Sequence, residues 1–292
     1  MAHLHAILAA DAAGAVLVKR GPRAQTRTIG WDRRTDAFTA GQCIRKRIDH
    51  RDADLSPDGR YFIYYVNDHS WDRPNHIYRA VSRAPWLKAE VFWGTPARGY
   101  GPGVGLFFKE ADGVTRIRAM VEQTPEWDHL RIPVVAYAAD TARWRAVVHP
   151  ASLFLTKLQR DGWTARTPWE PCPVSEVADE ARWRRRERAP HRIVFDKPLG
   201  AGWALRQTHW CGSHLDTNRG LSWESFALVS ASGAVERQPA WEWADVDPVR
   251  RRLVWTEDCV LHCAEVASAG LERARVLLDT RDMVFERLLA PY

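Results

Sequence analysis

Two segments of this chain, 191 residues apart, are copies of one another. Residues 53–64, Ala53-Asp54-Leu55-Ser56-Pro57-Asp58-Gly59-Arg60-Tyr61-Phe62-Ile63-Tyr64, lie without a gap over residues 244–255, Ala244-Asp245-Val246-Asp247-Pro248-Val249-Arg250-Arg251-Arg252-Leu253-Val254-Trp255. Alanine, aspartate, proline and arginine recur identically, and the aliphatic and aromatic positions match in kind. The offset is close to four units of about 48 residues, the length of a four-stranded propeller blade. Apolar, strand-like runs at 6–8, 105–108, 153–156 and 203–205 stand near the intermediate places, each followed by a polar turn and a second such run, as a β-meander requires.

Ser56-Pro57-Asp58-Gly59 is a tight turn: proline presets φ at its second position, and Asp-Gly accepts the later dihedrals. The strand at 61–66 is almost continuously aromatic and β-branched, so both of its faces are expected to be covered. Strands at 77–82 and 88–93 complete one blade, and 6–42 offers four more. The expected fold is all-β: one β-propeller domain over residues 1–292, with about six four-stranded blades, five and seven being the alternatives. Residues 175–188 are the exception. A Ser, early acids and a late run of Arg before Pro190 predict a short helical insertion.

On these residues the chain resembles the TolB-type and WD-like β-propeller repeats, whose unit is a strand, the turn Ser-Pro-Asp-Gly and an aliphatic-aromatic strand. The resemblance covers residues 52–82 and, degenerately, 244–266, where Val249-Arg250 replaces the turn's Asp-Gly. It implies a fold rather than an activity, because such propellers carry many unrelated functions.

Composition narrows the setting. The 292 residues are 46% hydrophobic, enough for a large core. No apolar run of membrane-spanning length occurs and the N-terminus lacks a secretory signal pattern, so the expectation is a cytoplasmic, monomeric protein with no membrane association. Five cysteines at irregular spacing, Cys43, Cys172, Cys211, Cys259 and Cys263, predict free thiols rather than a disulfide framework. The net charge of +6 is spread among interspersed acids and bases and selects no anionic partner by itself.

Candidate functional residues lie in the loops that follow the repeated strands, at 11–14, 67–76, 109–115, 159–162, 209–220 and 257–258, expected to share one rim. They supply Asp68, His69, Asp72, His209, His214, Asp216 and Asp258, besides Asp11, Asp112 and Asp161. Asp is also the ordinary residue of hairpin turns. The chain has 15 tryptophans. Trp203, Trp223 and Trp255 fall on strands and are expected to fill the core, whereas Trp71, Trp93, Trp127 and Trp210 lie in or beside rim loops. There, with Arg98 and Tyr100, they offer flat faces for a partner's side chains. His209, Cys211, His214 and Cys259 form a candidate site for a divalent cation, Ca or Zn, although their spacing lacks the tight pairs of structural zinc sites.

No phosphate-binding loop, dinucleotide fingerprint, nucleophile elbow or paired-histidine metalloprotease motif occurs. The leading expectation is therefore a non-catalytic scaffold that recognises a protein or peptide partner through rim loops. The alternative is a metal-dependent hydrolase or lyase with a cation in a central channel, where the metal polarises a carbonyl and activates water. A second alternative is nucleic-acid binding through Arg184, Arg185 and Arg186, which Glu180 and Glu187 weaken by interrupting the positive run.

Overall fold

Apolar stretches separated by short polar turns pair as antiparallel meanders, except that residues 117–119 run parallel to 134–136. The computed structural model describes residues 2–22, 25–67, 77–94, 106–109, 112–119, 134–136, 151–166, 191–211 and 222–292. The first sheet has the order β1 (His3–Leu8), β2 (Gly14–Arg20), β3 (Thr26–Asp32) and β4 (Ala37–Ile44). On β2 the consecutive residues Val16, Leu17 and Val18 are all buried, so both faces of this sheet are covered.

The second sheet is built from β5 (Arg47–Ile48), β6 (Asp54–Leu55), β7 (Tyr61–Asn67), β8 (Ile77–Arg83) and β9 (Ala89–Gly94). Phe62, Ile63, Tyr64 and Val66 of β7 are all buried, as its unbroken apolar run predicts. A three-stranded sheet follows: β10 (Leu106–Lys109), β11 (Thr115–Ala119) and β12 (Val134–Ala136). The fourth sheet runs through β13 (Thr164–Ala165), β14 (His191–Gly200), β15 (Trp203–Cys211), β16 (Ser222–Val229) and β17 (Val235–Gln238). The fifth is β18 (Trp243–Asp247), β19 (Arg252–Glu257), β20 (Val260–Ala267) and β21 (Gly270–Asp279).

These are the blade sheets of a β-propeller-like arrangement. Four of them carry four or more strands, so the described residues form four full blades rather than about six. The reason lies between the two repeat copies, where the chain is not divided into equal units. The run at 153–156 is part of a helix, α1 (Ala151–Arg160), instead of a strand. Among its described side chains Phe154, Lys157 and Leu158 are buried, an i, i+3, i+4 pattern that helical period explains and alternation does not. The predicted insertion at 175–188 lies outside the described residues. Among the described residues, no helix is long and apolar enough to cross a membrane.

The chain divides into two compact units. Unit 1 holds residues 1–140 with 258–260 and 278–292, and unit 2 holds 141–257 with 261–277. In unit 1 the first and second sheets share a core in which Ile7, Val16 and Val18 meet Phe62, Tyr64 and Ala80. In unit 2, Phe195, Leu205 and Phe226 of the fourth sheet pack with Leu253, Trp255 and Ala264 of the fifth, and α1 adds Phe154 and Leu158. Consecutive sheets thus cover each other's faces within each unit, as neighbouring blades do.

The sequence repeat is a structural repeat. Asp54 pairs with Ile63 and Leu55 with Phe62; Asp245 pairs with Val254 and Val246 with Leu253. Both copies are therefore one hairpin in one register. The first turn is closed by the Ser56 hydroxyl, which accepts from the Tyr61 N–H at 2.9 Å and donates to Asp58, with Gly59 left-handed at φ +75°. In the second copy the buried Asp247–Arg252 pair, at 3.0 Å, closes the turn. Its left-handed residue is Arg251, φ +53°, one place later than Gly59. The turn survives the loss of Asp-Gly by moving its strained position along the chain.

The repeated aspartate ties each hairpin to a neighbouring sheet. Asp54 is fully buried and accepts the Phe107 N–H of β10 at 2.8 Å, while Asp245 binds Lys197 of β14 at 2.6 Å. The two ties differ in exposure and hence in cost. Asp54→Ala strands a buried N–H and is expected to lower unfolding stability by about 1–3 kcal/mol. Asp245→Ala, at an ion pair that keeps some solvent access and whose carboxylate also accepts the Val246 N–H, is expected to cost less than Asp54→Ala. Urea denaturation of the two variants checks the order.

Candidate functional site

Two turns and a strand end of unit 1 meet: the 9–13 turn after β1, the 56–60 turn after β6, and Lys109 at the end of β10. The Asp11 N–H donates to Pro57 O at 2.9 Å, and Lys109 Nζ lies 2.7 Å from Asp11 Oδ2. The Gly14 and Gly59 backbones are in ordinary contact, a Cβ on Gly59 standing 3.6 Å from Gly14 Cα. The 9–13 loop is held from beneath. Arg33, fully buried, donates from Nη2 to Ala9 O at 2.6 Å and from Nε to Ala13 O at 3.2 Å, and also reaches Ala12 O. A guanidinium spreads donors in a fixed plane, so one side chain sets the course of the whole 9–13 loop.

The edge carries charges of both signs. Asp11, Lys109 and Asp112 are about half exposed. Arg116 grips Asp112 with both guanidinium arms, at 3.0 and 2.6 Å, and the Val114 N–H adds a third bond. Chiefly through the Arg116 hydrogen bonds, the Asp112 carboxyl is held down at about 2. Chemically this is a set of rigid hairpin tips with fixed carboxylates and cations, suited to matching charges on a partner surface.

Unit 2 contains a second polar feature. His209 on β15 sits opposite Glu224 on β16, its Nδ1 3.2 Å from Glu224 Oε1, and both side chains are buried. The Phe154 ring of α1 packs against the imidazole at 5.3 Å. Nε2 is buried without a hydrogen-bond partner among the described residues. A carboxylate on one imidazole nitrogen fixes the tautomer and leaves the other as an acceptor, which is how metal-ligating histidines are oriented.

The other expected site residues are placed as follows. Asp258 and Cys259 are the two-residue turn between β19 and β20, both left-handed at φ 47° and 61°, the geometry of a tight hairpin. The Cys259 carbonyl accepts from the Thr280 N–H and hydroxyl at 3.2 and 2.6 Å. His262 stacks on Trp255 at 5.2 Å, and the buried Cys263 Sγ is 3.6 Å from Arg252 Nη1. Cys43, Cys259 and Cys263 are free thiols. Trp93, Trp210 and Cys211 lie on strands β9 and β15, their side chains outside the described residues. Asp68, His69, Trp71, Asp72, Arg98, Tyr100, His214 and Asp216 lie wholly outside them, as do Trp127 and Arg184–Arg186. No group of three or more His, Cys, Asp or Glu close enough to hold a metal occurs among the described residues.

The 9–13 turn meets the Pro57 turn near the Tyr61 end of β7, and the loop expected beside it at 67–76 lies outside the described residues beyond Asn67. Arg33 and Glu224 were missed altogether: one acts on backbone carbonyls and the other across a strand pair, and neither leaves a local motif.

No protein-family model matches this chain, and no curated protein matches it either.

The Asp112 carboxyl titrates well below the usual range, so its bond to Arg116 holds above the ordinary carboxylate pKa and is lost only as pH falls through about 2. A carbon-detected NMR titration is expected to place its midpoint there, and Arg116→Gln to return it towards the ordinary carboxylate value of about 4.

Proposed function

We propose that this chain is a non-catalytic binding propeller, of the TolB-like or WD-like kind, that recognises a protein or peptide partner through the hairpin tips of one rim. The observation that carries this reading is the junction of Asp11, Pro57 and Lys109, where two turns and the end of a third sheet's first strand are joined by direct bonds, with Arg33 setting the 9–13 turn from below. Loops on a rigid scaffold are where binding residues concentrate, and a loop fixed before binding loses little entropy when a partner arrives. The mixture of Asp11, Asp58, Lys109 and Asp112 supports a partner with charges of both signs rather than a polyanion.

The test is affinity capture with the purified chain as bait, comparing wild type with the rim variant Asp11→Arg/Asp112→Arg. The expected result is one stoichiometric partner that the variant retains at least tenfold less well, with the melting temperature of the variant unchanged within a few degrees. Equal capture by both baits overturns the rim as the binding surface.

A second reading, a cation-dependent hydrolase or lyase, is supported by the His209–Glu224 pair and its remaining Nε2 acceptor. Its measurement is elemental analysis of protein purified without added metal. A stoichiometric Ca or Zn that His209→Ala abolishes favours this reading, and a metal content below about one atom in ten chains removes it.

A further inference from the structure

Residues 281–292 contain no strand or helix, yet they are fastened to unit 1 along their length by side chains of other segments. Lys19 of β2, itself buried, gives its ammonium to the carbonyls of Thr280, Arg281 and Met283. Arg27 of β3 donates to Val284 O, and Gln42 Nε2 of β4 to Leu288 O at 3.0 Å. Lys88 reaches Tyr292 O.

Two aromatic side chains supply the anchors. Phe285 rests on Gly21, where a Cβ would come within 2.5 Å of the ring, and under the Lys19 ammonium at 5.7 Å. Tyr292 lies between the Arg83 guanidinium at 4.6 Å and the Lys88 ammonium at 5.0 Å. Its hydroxyl accepts from the Arg83 N–H at 3.1 Å and donates to Lys88 O at 2.8 Å.

This is the contact pattern of a bound peptide rather than of a strand. Backbone carbonyls are read by cationic and amide donors whatever the sequence, and two partly buried aromatic side chains set the register. The segment also fits its bed imperfectly. A cleft of about 450 Å³ remains beside it, between Ile44 and Leu87 on one side and Leu289 and Ala290 on the other. Val284 and Leu289 of the segment are 66% and 76% exposed. Arg27 Nε is buried with no hydrogen-bond partner among the described residues. Because no strand ladder holds the segment, it can leave without opening a sheet.

We propose that this surface is a peptide-recognition groove which residues 281–292 occupy in cis, and that an extended segment of a partner protein, with aromatic residues seven positions apart, takes their place. A bulkier apolar side chain at the position of Leu289 or Ala290 fills the cleft that the resident segment leaves open. The groove stands on different residues from the rim and does not depend on it.

Two experiments test this on the full chain. Native-state hydrogen exchange of the wild type is expected to show amides 284–292 exchanging at least tenfold faster than those of β2 and β3, through an opening that leaves the sheets closed. Exchange of both sets only in a common global event makes the segment a fixed part of the fold and overturns the proposal. In the second, a fluorescein-labelled peptide with the sequence of residues 281–292 is titrated against wild type and Phe285→Ala/Tyr292→Ala. The folded double variant is expected to bind it saturably, at least tenfold tighter than wild type, and to bind a peptide with both aromatics replaced by Ala no better than background. No binding to the folded variant, or equal binding of both peptides, overturns the proposal. So does a wild-type dimer that the double variant abolishes, which would assign the groove to a second copy of the chain. If the double variant does not fold, the exchange measurement decides.

Discussion

A narrow β-meander whose middle strands are apolar on both faces cannot be wetted on either side, and this constraint governs the molecule. Val16, Leu17 and Val18 on β2, and Phe62, Ile63 and Tyr64 on β7, alternate sides and are buried all the same. Each sheet must therefore find another to cover it, and within each unit it does: the first sheet with the second, the fourth with the fifth. Stacking of this kind leaves the turns as the part of each sheet with free surface, which is why polar chemistry collects there.

Stacked sheets also bury polar groups, and this chain satisfies several of them with fixed charges aimed at backbone. Asp54 takes the Phe107 N–H, Arg33 takes the carbonyls of the 9–13 loop, and Lys19 and Arg27 take carbonyls from residues 280–284. An ion removed from water is tolerable only where hydrogen bonds replace its hydration. Each of these groups is thus a fastening between segments distant in sequence, where a slip of one residue would leave a charge stranded.

Much of the blade architecture was legible because it is local. The gapless overlay of 53–64 on 244–255 located one hairpin twice, in identical register, and the apolar run at 61–66 identified a strand covered on both sides. The number of blades was not legible, since it rests on what fills the space between the copies. There Phe154 and Leu158 serve a helix whose apolar run at 153–156 is short enough to read as a strand. The short strand β6, two residues that carry no periodicity, was not legible either. Of the candidate site, Asp11, Asp112 and His209 were visible as residue types in plausible places. Their meaning was not, because it comes from Arg33, Arg116 and Glu224, whose positions follow from pairing and packing rather than from neighbours in sequence. The segment 281–292 has no motif at all; its placement is written in the residues that receive it.

The grip of Arg33 on the 9–13 loop has an implication for how such a surface diversifies. Its hydrogen bonds end on main-chain oxygen atoms, so they are indifferent to which side chains the loop displays. Ala10 and Asp11, the exposed residues at its crest, are free to be exchanged while the path of the chain beneath them stays put. A mould that fixes shape and leaves lettering open lets the chemistry on display change without disturbing the core.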